Sequence, residues 1–351
     1  MSIILTVIIF GIIVIIHEFG HFIAAVKSGV YVEEFAIGMG PKIFGIKKGD
    51  ILYSIRLFPI GGFCKMAEED NDEIDKKGFN SVSLYKRMII VLAGVFMNFL
   101  LAFVISTLLV MFNGINEPVV AEISEGYSAQ KADMHIGDRI IKYNGKKIHI
   151  YDELRFYLNT YSGGDIKISI ERDGKILDKI VTPTKNEYGA YIIGFSLNPK
   201  SPFLKEKIEG MEKAGFFESC KNGFWSMVCM VKVTFYGLKQ IFTMNVSIDE
   251  MAGPIGLTAV VGDVYEQTKE NIWYTIQSMA SLVALLSANL GVMNILPIPA
   301  LDGGRFIFLF AEMIRRKPLP PEKEGVVHLV GFVILMIFGI AVAFNDILKF
   351  I

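Results

Sequence analysis

Four long apolar stretches restrict this chain to folds that are stable in a lipid bilayer. They occupy about residues 3–26, 88–112, 275–298 and 326–344. Each is close to the roughly 20 apolar residues that a helix needs to cross the hydrocarbon core. Because backbone groups in lipid must bond internally, each stretch is predicted to be a transmembrane helix. The predicted fold class is therefore a polytopic α-helical membrane protein with four transmembrane helices.

The distribution of lysine and arginine predicts how these helices are oriented. Residues 27–87 carry ten basic residues and the 299–325 loop carries five, whereas none precedes the first apolar stretch. Loops rich in basic residues stay in the cytosol, so both loops are predicted to be cytosolic and both termini extracytoplasmic. The first stretch lacks a basic flank and a small-residue cleavage site, so it is expected to remain as an anchor.

A fifth apolar stretch, residues 215–244, differs from the others because it carries three lysines. Lys221, Lys232 and Lys239 are spaced eleven and seven residues apart, which places them on one face of a helix. This pattern predicts an amphipathic helix along the membrane surface or the edge of the helix bundle. A fifth transmembrane span is the alternative.

Charge and cysteine content argue against three other classes of protein. The formal net charge of −1 argues against a nucleic-acid partner. The three cysteines are odd in number and form no close pair, which excludes a disulfide framework and a cysteine-based zinc finger. Three histidines outside the first apolar stretch are expected to have structural roles: His135, His149 and His328.

Three titratable residues, His17, Glu18 and His21, interrupt the first apolar stretch. Positions four apart share a helix face, so both imidazoles can reach one metal ion. The HExxH pattern supplies two zinc ligands and a general base in metalloproteases. A charged group at the bilayer centre costs at least about 2.5–3.5 kcal/mol, so such residues are functional by default. A polar network that joins helices is the alternative.

A catalytic zinc takes three protein ligands, so the chain must supply a third one at the same depth. The third apolar stretch runs in the same direction as the first and ends in NILPIPALDGG. Pro297, Pro299 and Gly303 indicate a broken helix, which is tolerated at membrane depth only against protein or a wet cavity. Asp302 is therefore the predicted third ligand of a Zn2+ ion. An ordinary acid in a surface turn is the alternative.

These segments resemble the site-2 protease family of intramembrane zinc metalloproteases, in the RseP/RasP branch, here with a single PDZ domain. HEFGH is similar to the family's HExxH, NILPIPALDGG to its NxxPxPxLDG element, and KRMIIVLAGVFMNF to the start of its second span. The resemblance implies that Asp302 binds zinc and that Asn294 polarises the scissile carbonyl. Asn98 is kept, whereas Val95 stands where the family usually has proline.

The segment FPIGGFCKM resembles a cytosolic, membrane-associated β-hairpin loop of that family, and the resemblance implies that this loop pairs with an unwound substrate. The preceding DILYSIRL alternates apolar and polar residues, as the edge of a hairpin would. An exposed edge strand can bond an extended peptide. The candidate substrate-binding residues are Ile60, Gly61, Gly62, Phe63, Cys64 and Lys65. A hairpin that only packs on the membrane face is the alternative.

Residues 116–186 are more charged and contain short β-type runs. IGDRIIKYNGKKI resembles the core of PDZ domains, and Asn144–Gly145 and Asp173–Gly174 are hairpin-turn signals. Because PDZ domains bind peptides at a sheet edge, a peptide terminus is a candidate partner. The predicted domain organisation has four parts. Residues 1–112 form the first two transmembrane helices, with the β-loop at 27–87, and residues 113–190 form an extracytoplasmic β-rich PDZ domain. Residues 191–274 form an extracytoplasmic linker and the amphipathic helix, and residues 275–351 form the last two transmembrane helices.

The hypothesis that follows is zinc-assisted hydrolysis of peptide bonds inside a membrane. Glu18 would take a proton from water and pass it to the leaving amine, and Asn294 would stabilise the oxyanion. The resemblance implies single-pass membrane substrates, such as anti-sigma factors or remnant signal peptides, in the bacterial inner (plasma) membrane, with the PDZ domain as a size gate. A membrane zinc transporter and a non-catalytic PDZ scaffold are the alternatives.

Overall fold

The structure is a computed structural model that describes residues 1–67, 78–115, 117–185, 191–197, 214–245, 253–317 and 320–350. It divides into two compact units, which are considered separately. The helical unit comprises residues 1–104 and 230–351, and the β-rich unit comprises residues 105–229.

The elements follow one another in three groups along the chain. The N-terminal group is α1 (Ser2–Ser28), β1 (Val32–Lys48), β2 (Ile51–Met66), a single 3₁₀ turn (Phe79–Ser81) and α2 (Leu84–Asn113). The middle group is β3 (Val120–Ile123), α3 (Ser128–Lys131), β4 (Arg139–Tyr143), β5 (Lys146–Lys147), α4 (Tyr151–Asn159), β6 (Ile166–Arg172), β7 (Lys175–Val181), β8 (Thr184–Lys185), β9 (Tyr191–Ile192) and β10 (Phe195–Leu197). The C-terminal group is α5 (Phe216–Phe242), α6 (Pro254–Thr268), α7 (Ile272–Ile295), α8 (Asp302–Arg315) and α9 (Pro321–Phe350).

Four helices are long and apolar enough to cross a membrane: Ser2–Ser28, Leu84–Asn113, Ile272–Ile295 and Lys323–Lys349. They coincide with the four apolar stretches, as the sequence predicted. Helix α5 covers the fifth apolar stretch and is not one of these candidates within the described residues. Because the Thr234 hydroxyl of α5 bonds the Asn289 side chain of α7, the later half of α5 lies against the helix bundle.

Small residues allow the helices of the helical unit to approach closely. A Cβ atom added to Gly20 of α1 would lie 2.4 Å from the Ala93 carbonyl oxygen of α2, and one added to Gly291 of α7 would lie 2.8 Å from the Phe99 ring. Lipid provides no hydrophobic drive between helices, so close backbone packing of this kind is what holds membrane helices together. Helix α2 therefore packs tightly against both α1 and α7.

The connection between α7 and α9 differs from the expected loop. The third span was predicted to continue to residue 298, but α7 ends at Ile295 because Pro297 lacks the N–H that a continuing helix needs. The 299–325 segment was predicted to be a loop, yet it contains the 14-residue helix α8, which begins at Asp302. A Cβ added to Gly303 would lie 2.1 Å from the Leu296 carbonyl oxygen, so only glycine permits this compact turn.

Strands β1 and β2 are long and bent, so β1 meets two separate segments of β2. Phe35 is paired with both Tyr53 and Cys64, and Ala36 is paired with both Ser54 and Phe63. Residues 62–66 are paired only with the first part of β1, so among the described residues they form an edge of the sheet. The described residues of this segment form a hairpin with a double pairing that was not expected, and its assignment as a cytosolic, membrane-associated loop stays a prediction.

The β-rich unit is built around a four-stranded sheet with the order β5-β4-β6-β7. Asn144–Gly145 and Asp173–Gly174 all have positive φ and connect antiparallel neighbours, which confirms the two predicted hairpin turns. Ile140, Ile166 and Leu154 are fully buried between the sheet and α4. The assignment of residues 113–190 to a PDZ domain stays a prediction, and residues 186–190, 198–213 and 246–252 lie outside the described residues.

Candidate metal centre

Two histidines of α1 and the first residue of α8 meet inside the helical unit. Nε2 of His17 lies 3.1 Å from Oδ2 of Asp302, and Nε2 of His21 lies 3.2 Å from the same oxygen. The two Nε2 atoms are themselves 3.2 Å apart. Both histidines are buried. The structure therefore brings together the three residues that the sequence nominated as metal ligands.

The spacing of these three atoms fits a tetrahedral zinc ion. Zinc–ligand distances of about 2.0–2.1 Å place neighbouring ligand atoms of a tetrahedron about 3.3–3.4 Å apart. The observed separations of 3.1–3.2 Å are close to that edge length. Oδ2 of Asp302 is buried and, within the described part of the chain, receives no hydrogen bond. Two imidazoles and one carboxylate form the donor set of many catalytic zinc sites, which leaves one position for water.

Helix α2 supplies the support behind both histidines. Nδ1 of His21 lies 2.8 Å from the carbonyl oxygen of Ile90. Because a carbonyl oxygen can only accept, Nδ1 carries the proton and Nε2 presents its lone pair to the metal. One turn later, a Cβ at Gly94 would lie 2.4 Å from His21 Nε2 and 2.7 Å from His17 Cε1. The absence of a side chain at Gly94 therefore makes room for both rings.

Asn98, one further turn along α2, contacts the other histidine. Asn98 is fully buried, and the Nδ2 atom of its amide lies 3.1 Å from Nδ1 of His17. A metal ion on Nε2 leaves the proton on Nδ1, and a 180° rotation of the amide then presents Oδ1 as the acceptor. Ser287 of α7 donates to the Asn98 carbonyl oxygen at 2.8 Å and fixes this part of α2. Ile90, Gly94 and Asn98 thus form one stripe at a spacing of four residues.

Glu18 connects the metal centre to the hairpin edge. Its Oε2 accepts a hydrogen bond from the backbone N–H of Cys64 at 3.1 Å. A Cβ at Gly62 would lie 3.8 Å from Glu18 Cγ, so the backbone of β2 passes directly beside this side chain. Burial, and then the Glu18 carboxylate, raise the pKa of the Cys64 thiol to about 12. Among the described residues, the ligand atoms that converge belong to His17, His21 and Asp302 and do not include the Cys64 thiol.

Asn294 lies in the last turn of α7, beside the three candidate ligands. Its Nδ2 is 3.4 Å from Nε2 of His17. The side chain is therefore close enough for its amide to reach a group bound near the metal position. The structure thus brings Asn294 to the centre, and its role at the scissile carbonyl stays a prediction.

The six candidate substrate-binding residues are not equally close to the centre. Gly62 and Cys64 contact Glu18, as described above. Lys65 forms an ion pair with Glu33 at 2.6 Å, and the Arg56 guanidinium lies 4.8 Å from the centre of the Phe63 ring. Gly61 has a φ of 83°, and the side chain of Ile60 lies outside the described residues.

A partly buried ion pair that the sequence did not reveal connects α8 to α2. Arg87 Nη2 donates to Glu312 Oε1 at 2.6 Å, and Nη1 donates to Oε2 at 3.2 Å. Because α8 begins with Asp302, this two-point contact fixes the helix that carries the third candidate ligand. Its two partners are 225 residues apart and share no sequence pattern.

Comparisons with known proteins bear on the class of this protein. The sequence profile of peptidase family M50 matches residues 5–338. A Clostridium acetobutylicum protein whose name assigns it to the zinc metalloproteases is 38% identical over 99% of this chain and 97% of its own length. The zinc metalloprotease RasP of Geobacillus kaustophilus is 30% identical over 99% of this chain and 98% of its own length. The regulator of sigma-W protease RasP of Bacillus subtilis is 29% identical over the same shares of the two chains.

The two RasP alignments are longer than the chain itself. They run over 430 and 431 positions, compared with the 351 residues of this chain. The alignment with the Clostridium acetobutylicum protein runs over 349 positions. The chain therefore matches the RasP proteins from end to end but lacks roughly 80 residues that they contain.

Proposed function

The chain belongs to peptidase family M50 and is a zinc metalloprotease of a bacterial membrane, and from this premise we propose that it cleaves single-pass membrane proteins within the bilayer. The observation that carries the proposal is the convergence of His17, His21 and Asp302 beside Glu18 and a sheet edge. The transporter and scaffold alternatives are set aside because neither explains membership in a peptidase family.

In this proposal His17, His21 and Asp302 hold the zinc ion. Bound there, zinc would act as a Lewis acid that lowers the pKa of water towards 7. Glu18 takes the proton of the attacking water and delivers it to the leaving nitrogen. The amide N–H groups of Asn294 donate to the carbonyl oxygen of the scissile bond as negative charge develops there.

The hairpin edge is proposed to bind the substrate in an extended form. A helical substrate hides its amide bonds, so the segment to be cut must first unwind. Among the strands of the described residues, residues 62–66 pair with β1 alone, and the Cys64 N–H donates to Glu18. A substrate strand added to this edge would therefore lie beside the general base. Gly61, Gly62, Phe63, Cys64 and Lys65, with the backbone of Ile60, provide this edge in the proposal.

The substrate class is proposed from the relatives and from the resemblance. The name of one relative describes it as a regulator of sigma-W protease. Anti-sigma factors and remnant signal peptides with one membrane span are therefore the proposed substrates, and no nucleic acid is involved. The proposal also places both termini and the β-rich unit outside the cytosol, with that unit acting as a PDZ domain that binds a peptide terminus and limits substrate size.

The test is Glu18→Gln in the full-length protein, co-expressed with a reporter that has a single transmembrane helix. The amide can still accept from the Cys64 N–H but cannot take a proton, so we expect cleavage to fall by about 10²–10⁴-fold while zinc content is unchanged. Glu125→Gln, the same chemical change at an exposed site in the β-rich unit, is the matched control. Undiminished cleavage by the Glu18 variant would contradict the mechanism.

A further inference from the structure

The backbone just before Asp302 adopts a conformation that its sequence does not favour. Ala300 has a φ of 75°, in the left-handed region that residues other than glycine rarely adopt. It lies two residues before the third candidate ligand, so its conformation determines where Asp302 begins α8. Something outside the turn must stabilise Ala300 in this geometry.

The hydrogen bonds of the turn identify that stabilising group. Leu296 and Leu301 donate their N–H groups to carbonyl oxygens of Met293 and Ile298, and Ile298 donates to Leu296. Pro297 and Pro299 have no N–H to donate. The Ala300 N–H donates instead to a side chain, Nδ1 of His328 in α9, at 2.8 Å. One backbone donor of the turn is thus satisfied by a residue 28 positions further along the chain.

The surroundings of His328 hold its imidazole in the orientation this bond requires. An accepting Nδ1 leaves the proton of the neutral ring on Nε2. Glu324, one helical turn earlier, has Oε1 3.7 Å from that Nε2, which is beyond hydrogen-bond distance, and within the described residues Nε2 has no hydrogen-bond partner. The Phe308 ring of α8 lies 5.4 Å from the imidazole. The ring is therefore held between α8 and α9.

Helix α9 also meets the turn through its backbone. A Cβ at Gly331, three residues after His328 and on the same helix face, would lie 2.4 Å from Pro299 Cβ and 2.7 Å from the Pro299 carbonyl oxygen. No larger residue would let α9 come this close to the turn. His328 and Gly331 together press one face of α9 against the residues that precede Asp302.

We infer that His328 is a positioning residue for the zinc site, which acts through the Ala300 N–H to hold Asp302 in place for metal binding. The inference rests on the proposed role of Asp302 as a ligand. It gives α9 a role in the metal centre without direct contact with the metal. The expectation that His328 has only a general structural role is replaced by this specific one.

The test measures zinc retention by the purified full-length protein during titration with a soluble chelator. His328→Leu removes the acceptor, so we expect zinc to be lost at chelator concentrations about 10–100-fold lower than for the wild type. His328→Asn places an amide oxygen near the position of Nδ1, and we expect retention within about threefold of the wild type. The matched control is Leu329→Ala, at an exposed position next to His328, which should leave retention unchanged.

A second variant separates the hydrogen bond from general packing. Glycine adopts positive φ without strain, so adding Ala300→Gly to His328→Leu should recover part of the lost zinc retention. For the single-span reporter, His328→Leu should lower kcat and leave KM within about twofold, because the hairpin edge is unchanged. The inference is overturned if His328→Leu retains zinc like the wild type, or if His328→Asn loses zinc as readily as His328→Leu.

Asp302→Ala distinguishes this inference from the proposed function itself. If Asp302→Ala retains zinc like the wild type, the proposed ligand set fails. If Asp302→Ala loses zinc whereas His328→Leu does not, the ligand set stands and the role of His328 is refuted.

Discussion

The two halves of the metal centre are built in different ways. His17 and His21 lie one turn apart on a regular helix, and the stripe Ile90, Gly94 and Asn98 of α2 supports both rings. Asp302 follows an irregular turn, and its position depends on contacts from distant helices, namely the Arg87–Glu312 ion pair and the Ala300–His328 hydrogen bond. The histidine half is fixed by local helical geometry, whereas the aspartate half is fixed by tertiary structure.

The largest expected effect comes from filling the space behind the histidine half. Gly94→Ala would place a Cβ 2.4 Å from His21 Nε2, so one ring must leave its position. Because this displaces a candidate ligand itself, we expect zinc retention to fall by more than the roughly 10–100-fold that follows the loss of a supporting contact. Zinc content after chelator titration is the measurement. Gly339→Ala in α9 is the matched control, because its Cβ would meet nothing within 4 Å. Equal zinc retention in the two variants would show that α2 does not support the histidines.

The aspartate half is tested by breaking its ion pair. Arg87→Met leaves the Glu312 carboxylate largely buried without its partner, and we expect a loss of about 1–3 kcal/mol in the free energy of unfolding. Zinc retention should fall as well, because α8 carries Asp302.

The double variant Arg87→Met/Glu312→Leu supplies the control for this ion pair. Removing both charges should recover most of the lost stability, since no buried charge is left unpaired. Chemical denaturation in detergent measures the change. If the double variant is less stable than Arg87→Met alone, the unpaired Glu312 is not the cause of the loss.

The smallest loss of zinc is expected when the hydrogen bond that supports only one histidine is removed. Asn98→Leu removes the acceptor for His17 Nδ1, and second-shell losses of this kind typically lower metal affinity by about 10–100-fold. Asn98→Asp keeps an acceptor and should stay within about threefold of the wild type. Ser287→Ala, which removes only a bond to the Asn98 backbone, is the control. Loss of zinc by the Asp variant to the same extent as by the Leu variant would point to packing rather than hydrogen bonding.

The sequence predicted the arrangement of His17 and His21 better than the contacts that hold Asp302. A spacing of four residues is enough to bring His17 and His21 together, and the broken third span pointed to Asp302. The support of Asp302 was not predictable, because Arg87 and Glu312 are 225 residues apart and the partner of His328 is a backbone N–H. Such contacts depend on how helices pack, and no local pattern encodes them.

Elements of the fold that depend on local sequence patterns were also predicted, whereas those that depend on contacts between distant residues were not. Asn–Gly and Asp–Gly turns and the apolar stretches were recognised because each is a local signal. The double pairing of Phe35 with Tyr53 and Cys64 was not, because alternation along a strand gives its faces and not its partners. Helix α8 was read as a loop because Gly303 and Gly304 lower helix propensity, which the surrounding packing overrides.

The contact between His21 and Ile90 uses a backbone oxygen, so it does not depend on the chemistry of the side chain at position 90. Any residue that keeps α2 helical and fits the buried space at position 90 presents the same oxygen to His21. A mutational scan would therefore find position 94 restricted to glycine and position 98 restricted to residues with an acceptor. Position 90 would accept several apolar residues, although its backbone supports a candidate ligand, His21, as directly as Asn98 supports His17.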